Sequence, residues 1–186
     1  MSKKKNKILF VAPYPFDKAP SQRLKYEQYY SFFEDAGFEI TTSSFIDEPF
    51  WKIIYKHGFT LQKIYHTVLG YARRLRDLIF IRKYDVVYIH LWVTPLGIPF
   101  YEWLYCLFAK RVIYDIDDLI FLGHSSSANR LFEFLKGKAK AIYLMKHANH
   151  VITCTPMLDE FVRKYNQHTT DISSTINTEV YQQRSS

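Results

Sequence analysis

Cysteine and glycine are scarce in this chain of 186 residues, which has two cysteines and six glycines. Cys106 and Cys154 lie in apolar segments and form no CxxC pair, so we interpret them as buried free thiols rather than as a disulfide or a metal site. The glycines form neither GxGxxG nor GxxxxGK[ST]. Their absence disfavours dinucleotide-dependent enzymes and P-loop nucleotidases.

Long apolar runs are also lacking. The N-terminal run that follows the basic start is stopped by Pro13, which makes it too short for a signal peptide or a membrane span. Charged residues or histidines interrupt every later run. We therefore expect a soluble cytoplasmic protein, or one that is peripheral on the inner face of the cell membrane.

Acidic residues are nearly absent between residues 50 and 83. This stretch has eight Lys and Arg residues against one acid, Asp77, so it accounts for the whole net charge of +7. Aromatic and aliphatic residues lie among the basic ones. This mixture suits an anionic membrane surface or a phosphate-bearing partner, although the apolar face could instead pack on the rest of the protein. No nucleic-acid partner is expected.

The chain does contain a regular alternation of strand and helix patterns. Strands are predicted at 7–12, 38–44, 85–90, 111–115 and 150–154, with a weak sixth at 171–176. Helices are predicted at 21–37 with Ser21 as its cap, twice within 49–82, at 95–109, up to residue 147 and at 157–165. Continuously apolar strands are typical of a parallel sheet with helices on both faces. The pattern predicts an α/β, Rossmann-like domain over residues 1–176, followed by the start of an interdomain linker at 177–186.

Ligands of such sheets bind beyond the carboxyl ends of the strands. Ser21 and Arg23 follow the first strand at a helix N-terminus, a position that favours an anion, although an ordinary cap with a solvated arginine is the alternative. His90 and Trp92 follow the third strand, where they could reach a sugar or could belong to the core. Thr155 follows the fifth strand.

Three carboxylates end the fourth strand in the segment VIYDIDDLIF, and this is the sharpest local feature of the chain. Asp115, Asp117 and Asp118 would repel one another unless a partner compensates them. Such a cluster binds a cation or a sugar hydroxyl, or accepts protons. The alternative is that Asp115 caps the next helix and the others are exposed.

A succession of segments carries a resemblance that spans nearly the whole chain. The segments KILFVAPYPFDKAPSQR, FFEDAGFEIT, YDVVYIHL, RVIYDIDDLIF, ANHVITCTPMLDEFVRKY and STINTEVYQQ resemble, in this order, the N-terminal domain of group 1 (GT4-like) glycosyltransferases of the GT-B fold. The resemblance implies retaining transfer of a sugar from a UDP- or GDP-linked donor, with no cofactor and no essential metal. It also implies that a second domain, absent from these residues, binds the donor.

The same resemblance assigns roles to the residues at the strand ends. Ser21 and Arg23 would contact acceptor or donor phosphate, and Asp117 with Asp118 would line the acceptor side of the cleft. The acceptor would be a sugar or a lipid-linked sugar. The first loop departs from the family because Pro13, Pro15 and Pro20 stand where it has a Gly-Gly pair.

Two other functions are compatible with the sequence. The DxD of Asp115 and Asp117 superficially matches phosphohydrolases of the haloacid-dehalogenase type, but it lies at the fourth strand and is not followed by Gly-Thr or Gly-Val. The chain could also be a non-catalytic binding or membrane-docking subunit of a separate catalytic chain.

Overall fold

A computed structural model describes residues 5–117 and 138–173. These residues form one six-stranded sheet in the order β2-β1-β3-β4-β5-β6, and all neighbouring strands are parallel. The strands are β1 (Asn6–Ala12), β2 (Phe38–Ser44), β3 (Val86–His90), β4 (Val112–Asp115), β5 (His150–Thr153) and β6 (Thr169–Asp171). The prediction of an α/β, Rossmann-like fold is confirmed.

Helices connect the strands. They are α1 (Pro20–Lys25), α2 (Tyr30–Asp35), α3 (Glu48–Trp51), α4 (Thr60–Phe80), α5 (Phe100–Phe108), α6 (Lys138–His147) and α7 (Pro156–Arg163). Short 3₁₀ turns at Glu27–Tyr29 and Ile81–Lys83 follow α1 and α4.

Several predicted boundaries were wrong, for local reasons. The helix predicted at 21–37 is divided into α1, a 3₁₀ turn and α2, and its cap is Ala19 rather than Ser21, because Pro20 occupies the first helical turn. The helix predicted from residue 95 begins only at Phe100. Gly97, with φ of 86°, lies in the turn that precedes it. The sixth strand ends at Asp171, and the predicted linker at 177–186 lies outside the described residues.

The sheet is buried on both faces, which explains its continuously apolar strands. Alternate residues of the central strands point into a large core that includes side chains of α5, α6 and α7. The others point into a smaller, aromatic core with Tyr26, Tyr30 and Phe33 from the α1–α2 region, where Phe10 lies 4.9 Å from Tyr88 between ring centroids.

The strand order reverses between β1 and β3. The chain runs from β1 to β2 on one side, then returns to place β3 to β6 on the other side. In open parallel sheets, this reversal opens a crevice at the carboxyl ends of the strands. The loop after β1 and the residues that end β3 and β4 therefore form the candidate site.

Candidate functional site

A buried histidine and a buried carboxylate lie side by side at the carboxyl edge of the sheet. His90 ends β3 and Asp115 ends β4, and the two are register partners in the sheet. Both are fully buried, and His90 Nδ1 lies 2.8 Å from Asp115 Oδ2. Asp117 follows β4, with its Oδ2 3.5 Å from His90 Nε2. The geometry thus joins three of the predicted site residues.

Lys25 supplies the positive charge that these carboxylates require. It ends α1, its side chain is only 3% exposed, and its ammonium contacts Asp115 Oδ1 and lies 2.7 Å from Asp117 Oδ1. Asp117 is the more accessible carboxylate, since its side chain is 21% exposed. We name Lys25, His90, Asp115 and Asp117 the edge cluster.

The charges of the edge cluster stabilise one another. Burial opposes ionisation of Asp115, but the hydrogen bond and charge of His90, together with Lys25, outweigh it and lower the pKa of the carboxyl group. Burial also opposes the charged form of Lys25, yet Asp115 and Asp117 raise its pKa. Lys25 and Asp115 therefore form a charged pair at neutral pH.

Three members of the edge cluster could also act as metal ligands. Ligand atoms of His90, Asp115 and Asp117 lie within 4.8 Å of one another. The ammonium of Lys25 already contacts both carboxylates, so a divalent cation that binds them would have to displace it. That no metal is essential stays a prediction, and Lys25 gives it a physical reason.

A second group of buried polar residues fixes the loop after β1. Gln22 is fully buried and bonds Tyr14 twice: its Oε1 accepts from Tyr14 N at 2.9 Å, and its Nε2 donates to Tyr14 O at 3.1 Å. Glu27 accepts from Gln22 Nε2 and from Asp17 N, both at 3.0 Å. Burial raises the pKa of Glu27. These bonds tie the loop after β1, which forms one wall of the crevice, to α1 and to the 3₁₀ turn that follows it.

Trp92 lines an aromatic pocket near the same edge. The turn after β3 puts Leu91 at φ of 61°, a left-handed conformation that is costly for leucine. Trp92 then packs edge-on against Phe45, with ring centroids 5.6 Å apart. The pocket has a volume of about 300 Å³, and its walls include Tyr14, Phe50, Ile54, Tyr55, Trp92 and Leu96. Trp92 is thus partly buried, and it lines a pocket that a ligand could enter.

The other predicted residues do not join the edge cluster. Ser21 lies in the first turn of α1, and Arg23 pairs with Asp17 at 3.6 Å. Thr155 is exposed and caps α7, where its hydroxyl accepts from Leu158 N at 3.2 Å. Asp118 lies outside the described residues. The alternative that Asp115 is simply a helix cap does not fit its burial between His90 and Lys25.

Sequence reasoning missed Lys25, Gln22 and Glu27. Polar and aromatic side chains are mixed in the segment QRLKYEQYY. Because this region is divided into α1, a 3₁₀ turn and α2, it lacks the 3.6-residue period that would reveal an inward polar face. The one usable signal was the need of clustered carboxylates for a nearby cation.

Comparisons with known proteins do not identify the chain. A scan against models of protein families finds no match. A search of curated proteins finds none either.

Proposed function

We propose that this chain is the acceptor-side domain of a retaining GT-B glycosyltransferase that acts in cell-surface polysaccharide or glycolipid synthesis. The donor, a UDP- or GDP-linked sugar, would be held by a second domain outside these 186 residues. The Rossmann-like sheet and the position of its crevice support this assignment. The observation that carries it is the edge cluster at the reversal of strand order.

Within this proposal, Asp117 receives the hydroxyl group of the acceptor. It is the more exposed of the two carboxylates in the edge cluster, at 21% of its side-chain surface, and Lys25 keeps it next to a fixed positive charge. A carboxylate oxygen accepts strong hydrogen bonds from sugar hydroxyls, and it can receive the proton of the hydroxyl group that attacks the donor sugar. Lys25, His90 and Asp115 position Asp117, and they are too buried to reach the substrate themselves.

The aromatic pocket would hold the ring of the acceptor. Sugars present apolar faces that pack on aromatic side chains, and Trp92 and Tyr14 both line this pocket. The two residues come from the loops after β3 and β1, the two strands that flank the reversal. Arg23, beside the same first loop, would assist with phosphate, as the family resemblance implies.

The geometry disfavours a phosphohydrolase of the DxD type. In that chemistry the first aspartate must be free to attack phosphorus. Asp115 is fully buried, and its two oxygens are engaged by Lys25 and His90. Mg²⁺-dependent hydrolysis of a generic phosphate ester by the purified chain would instead support the phosphohydrolase assignment. A non-catalytic binding subunit would use the same crevice. It would differ from a glycosyltransferase domain in one respect: no sugar would be transferred even when the donor-binding domain is present.

Saccharide binding by the 186-residue chain tests the proposed site. We expect saturation-transfer NMR to detect binding of some members of a panel of mono- and disaccharides. Asp117→Asn should weaken that binding by about 10- to 100-fold, because a charged hydrogen-bond acceptor is lost. Trp92→Ala should weaken it by about tenfold, because the stacking surface is lost.

Two matched variants control for unspecific effects. Trp103→Ala removes an exposed tryptophan of α5, and Asp171→Asn neutralises an exposed carboxylate of β6, so neither should alter binding. Binding that is equally weakened by the control and site variants, or a chain that binds no saccharide, would contradict the proposed site.

A further inference from the structure

Helix α4 is amphipathic in an unexpected direction, because its apolar stripe faces away from the protein. Leu61, Tyr65, Val68, Leu75 and Ile79 recur at helical spacing and are between 51% and 82% exposed. The fully buried residues of α4 are Gly70, Arg74 and Asp77 instead, and the partly buried Tyr71 and Leu78 pack against the core beside them. A helix that packs on a core normally shows the opposite arrangement. We name the five exposed residues the outer stripe.

The outer stripe continues into neighbouring apolar residues. A groove of about 580 Å³ is lined by Ile64 and Val68 of α4, by Tyr71 and by Leu96, with Lys56 and Lys63 at its border. The Tyr71 hydroxyl donates to Leu96 O at 3.1 Å, which ties the two segments together. Ile98, Phe100 and Trp103, which follow Leu96, are all exposed. So large a set of exposed apolar side chains marks an interaction surface.

Charge identifies the occupant of this surface. From Thr60 to Lys83 the one acidic residue is Asp77, and it is buried between Arg74 and Arg76. Within residues 60–83 the exposed charges are therefore all positive, and Arg76 and Arg82 are among them. The exposed Lys52 and Lys56 precede α4 in the sequence, and the partly exposed Asp47 is paired with Arg73. Two copies of this chain placed stripe to stripe would bring like charges together. An anionic lipid surface instead offers apolar depth for the stripe and negative charge for its rim.

We propose that the α4 outer stripe docks the protein on an anionic membrane surface, where α4 lies in the plane of the interface. Within the described part of the chain, no helix is long and apolar enough to cross a bilayer. The inference rests on the proposed function in one respect: docking would bring the crevice to a lipid-linked acceptor. The aromatic pocket and the groove beside α4 share Thr67 and Leu96, so the two lie next to each other.

The test is co-sedimentation of the purified chain with vesicles of phosphatidylcholine alone or mixed with phosphatidylglycerol, at low and high salt. We expect binding to the mixed vesicles that weakens with salt. Changing Lys52, Lys56, Arg76 and Arg82 to Gln should reduce binding by about 100-fold or more, because each basic residue near the surface adds to the attraction. Changing Leu61, Val68 and Ile79 to Ser should also abolish it.

Arg74 is left unchanged in these variants because it is fully buried and serves the fold. The control changes Lys110, Arg111, Lys146 and Lys164 to Gln, which removes the same charge from exposed sites outside α4 and should leave binding intact. Circular dichroism must show that every variant is folded.

Three results would each overturn the proposal. The first is no vesicle binding at any salt concentration, and the second is an equal loss of binding in the control. The third is a dimer in sedimentation equilibrium that Leu61→Ser, Val68→Ser and Ile79→Ser dissociate while lipid binding is absent. The assay uses no sugar, so its failure would leave the saccharide-binding test of the proposed function unaffected.

Discussion

Lys25 is the single residue on which the edge cluster depends most. Its ammonium compensates both Asp115 and Asp117 in a place that excludes water, since its side chain is 3% exposed and that of Asp115 is fully buried. A buried charge that loses its partner costs far more than a surface charge does. The stability of the protein should therefore respond to this lysine.

Lys25→Met should lower the free energy of unfolding by about 3 to 5 kcal/mol, because it removes the cation that contacts the buried carboxylate of Asp115. Urea denaturation monitored by circular dichroism measures this change. Lys18→Met is the control: Lys18 pairs with Glu48 at 3.4 Å on the surface, and its loss should cost at most about 1 kcal/mol. Equal costs for the two variants would contradict the importance of the buried pair.

The pH dependence of the free energy of unfolding should also reveal the contribution of the Lys25–Asp115 pair. The raised pKa of Lys25 means that its contribution is present below about pH 10.4 and is lost as the pH rises through the folded-state pKa. The lowered pKa of Asp115 means that its contribution is present above about pH 3.9 and is lost as the pH falls further. Lys25→Met should therefore lose less stability at alkaline pH than the wild-type protein, whereas the alkaline loss caused by buried tyrosines such as Tyr88 and Tyr114, whose pKa values burial raises, should remain in both.

At the residue level, the sequence led to three of the four members of the edge cluster. The rule that ligands lie beyond strand ends pointed to His90, Asp115 and Asp117, because a strand end can be recognised from local sequence. It could not point to Lys25, because that contact joins residues 90 positions apart. Only the fold brings the end of α1 to the end of β4.

At the level of elements, α4 shows what a hydrophobic period does and does not reveal. Its three- and four-residue spacing correctly predicted a long helix, but spacing alone does not tell which face is inward. The most deeply buried side chains of the inner face, Arg74 and Asp77, are polar because Arg74 joins the ends of three strands or their loops. It donates to Ala12 O at 2.7 Å, Ser43 O at 2.9 Å and Val93 O at 2.7 Å.

Arg74→Met should lower the free energy of unfolding by about 3 to 5 kcal/mol, since three carbonyl groups and Asp77 lose a buried donor. Arg73→Met, at the preceding position, is the matched control. Arg73 is partly exposed and contacts Asp47 and Ser44 O, so its loss should cost about 1 to 2 kcal/mol. Thermal and urea denaturation compare the two. A larger cost for Arg73→Met would refute the assigned role of Arg74.

For the whole molecule, the sequence predicted the fold well and the detailed site less well. Strands buried on both faces have a strong local signature, and their alternation with helices leaves few arrangements of a parallel sheet. The short helical segments between β1 and β2 were harder to predict, because Pro20 and the 3₁₀ turn interrupt the helical period. The proposed glycosyl transfer rests on the crevice that this fold creates, with Asp117 as its partly exposed carboxylate.

Sugar transfer measured as kcat/KM tests the central claim most directly. It requires a form of the protein that carries the donor-binding domain, with Asp117→Asn, Asp118→Asn and the isolated 186-residue chain as comparisons. The account predicts transfer by the two-domain form and at least about 100-fold less by Asp117→Asn, with a melting temperature within a few degrees of wild type. The isolated chain should transfer no sugar, because nothing orients its donor. Unchanged transfer by Asp117→Asn, or turnover of a nucleotide sugar by the isolated chain, would contradict the account.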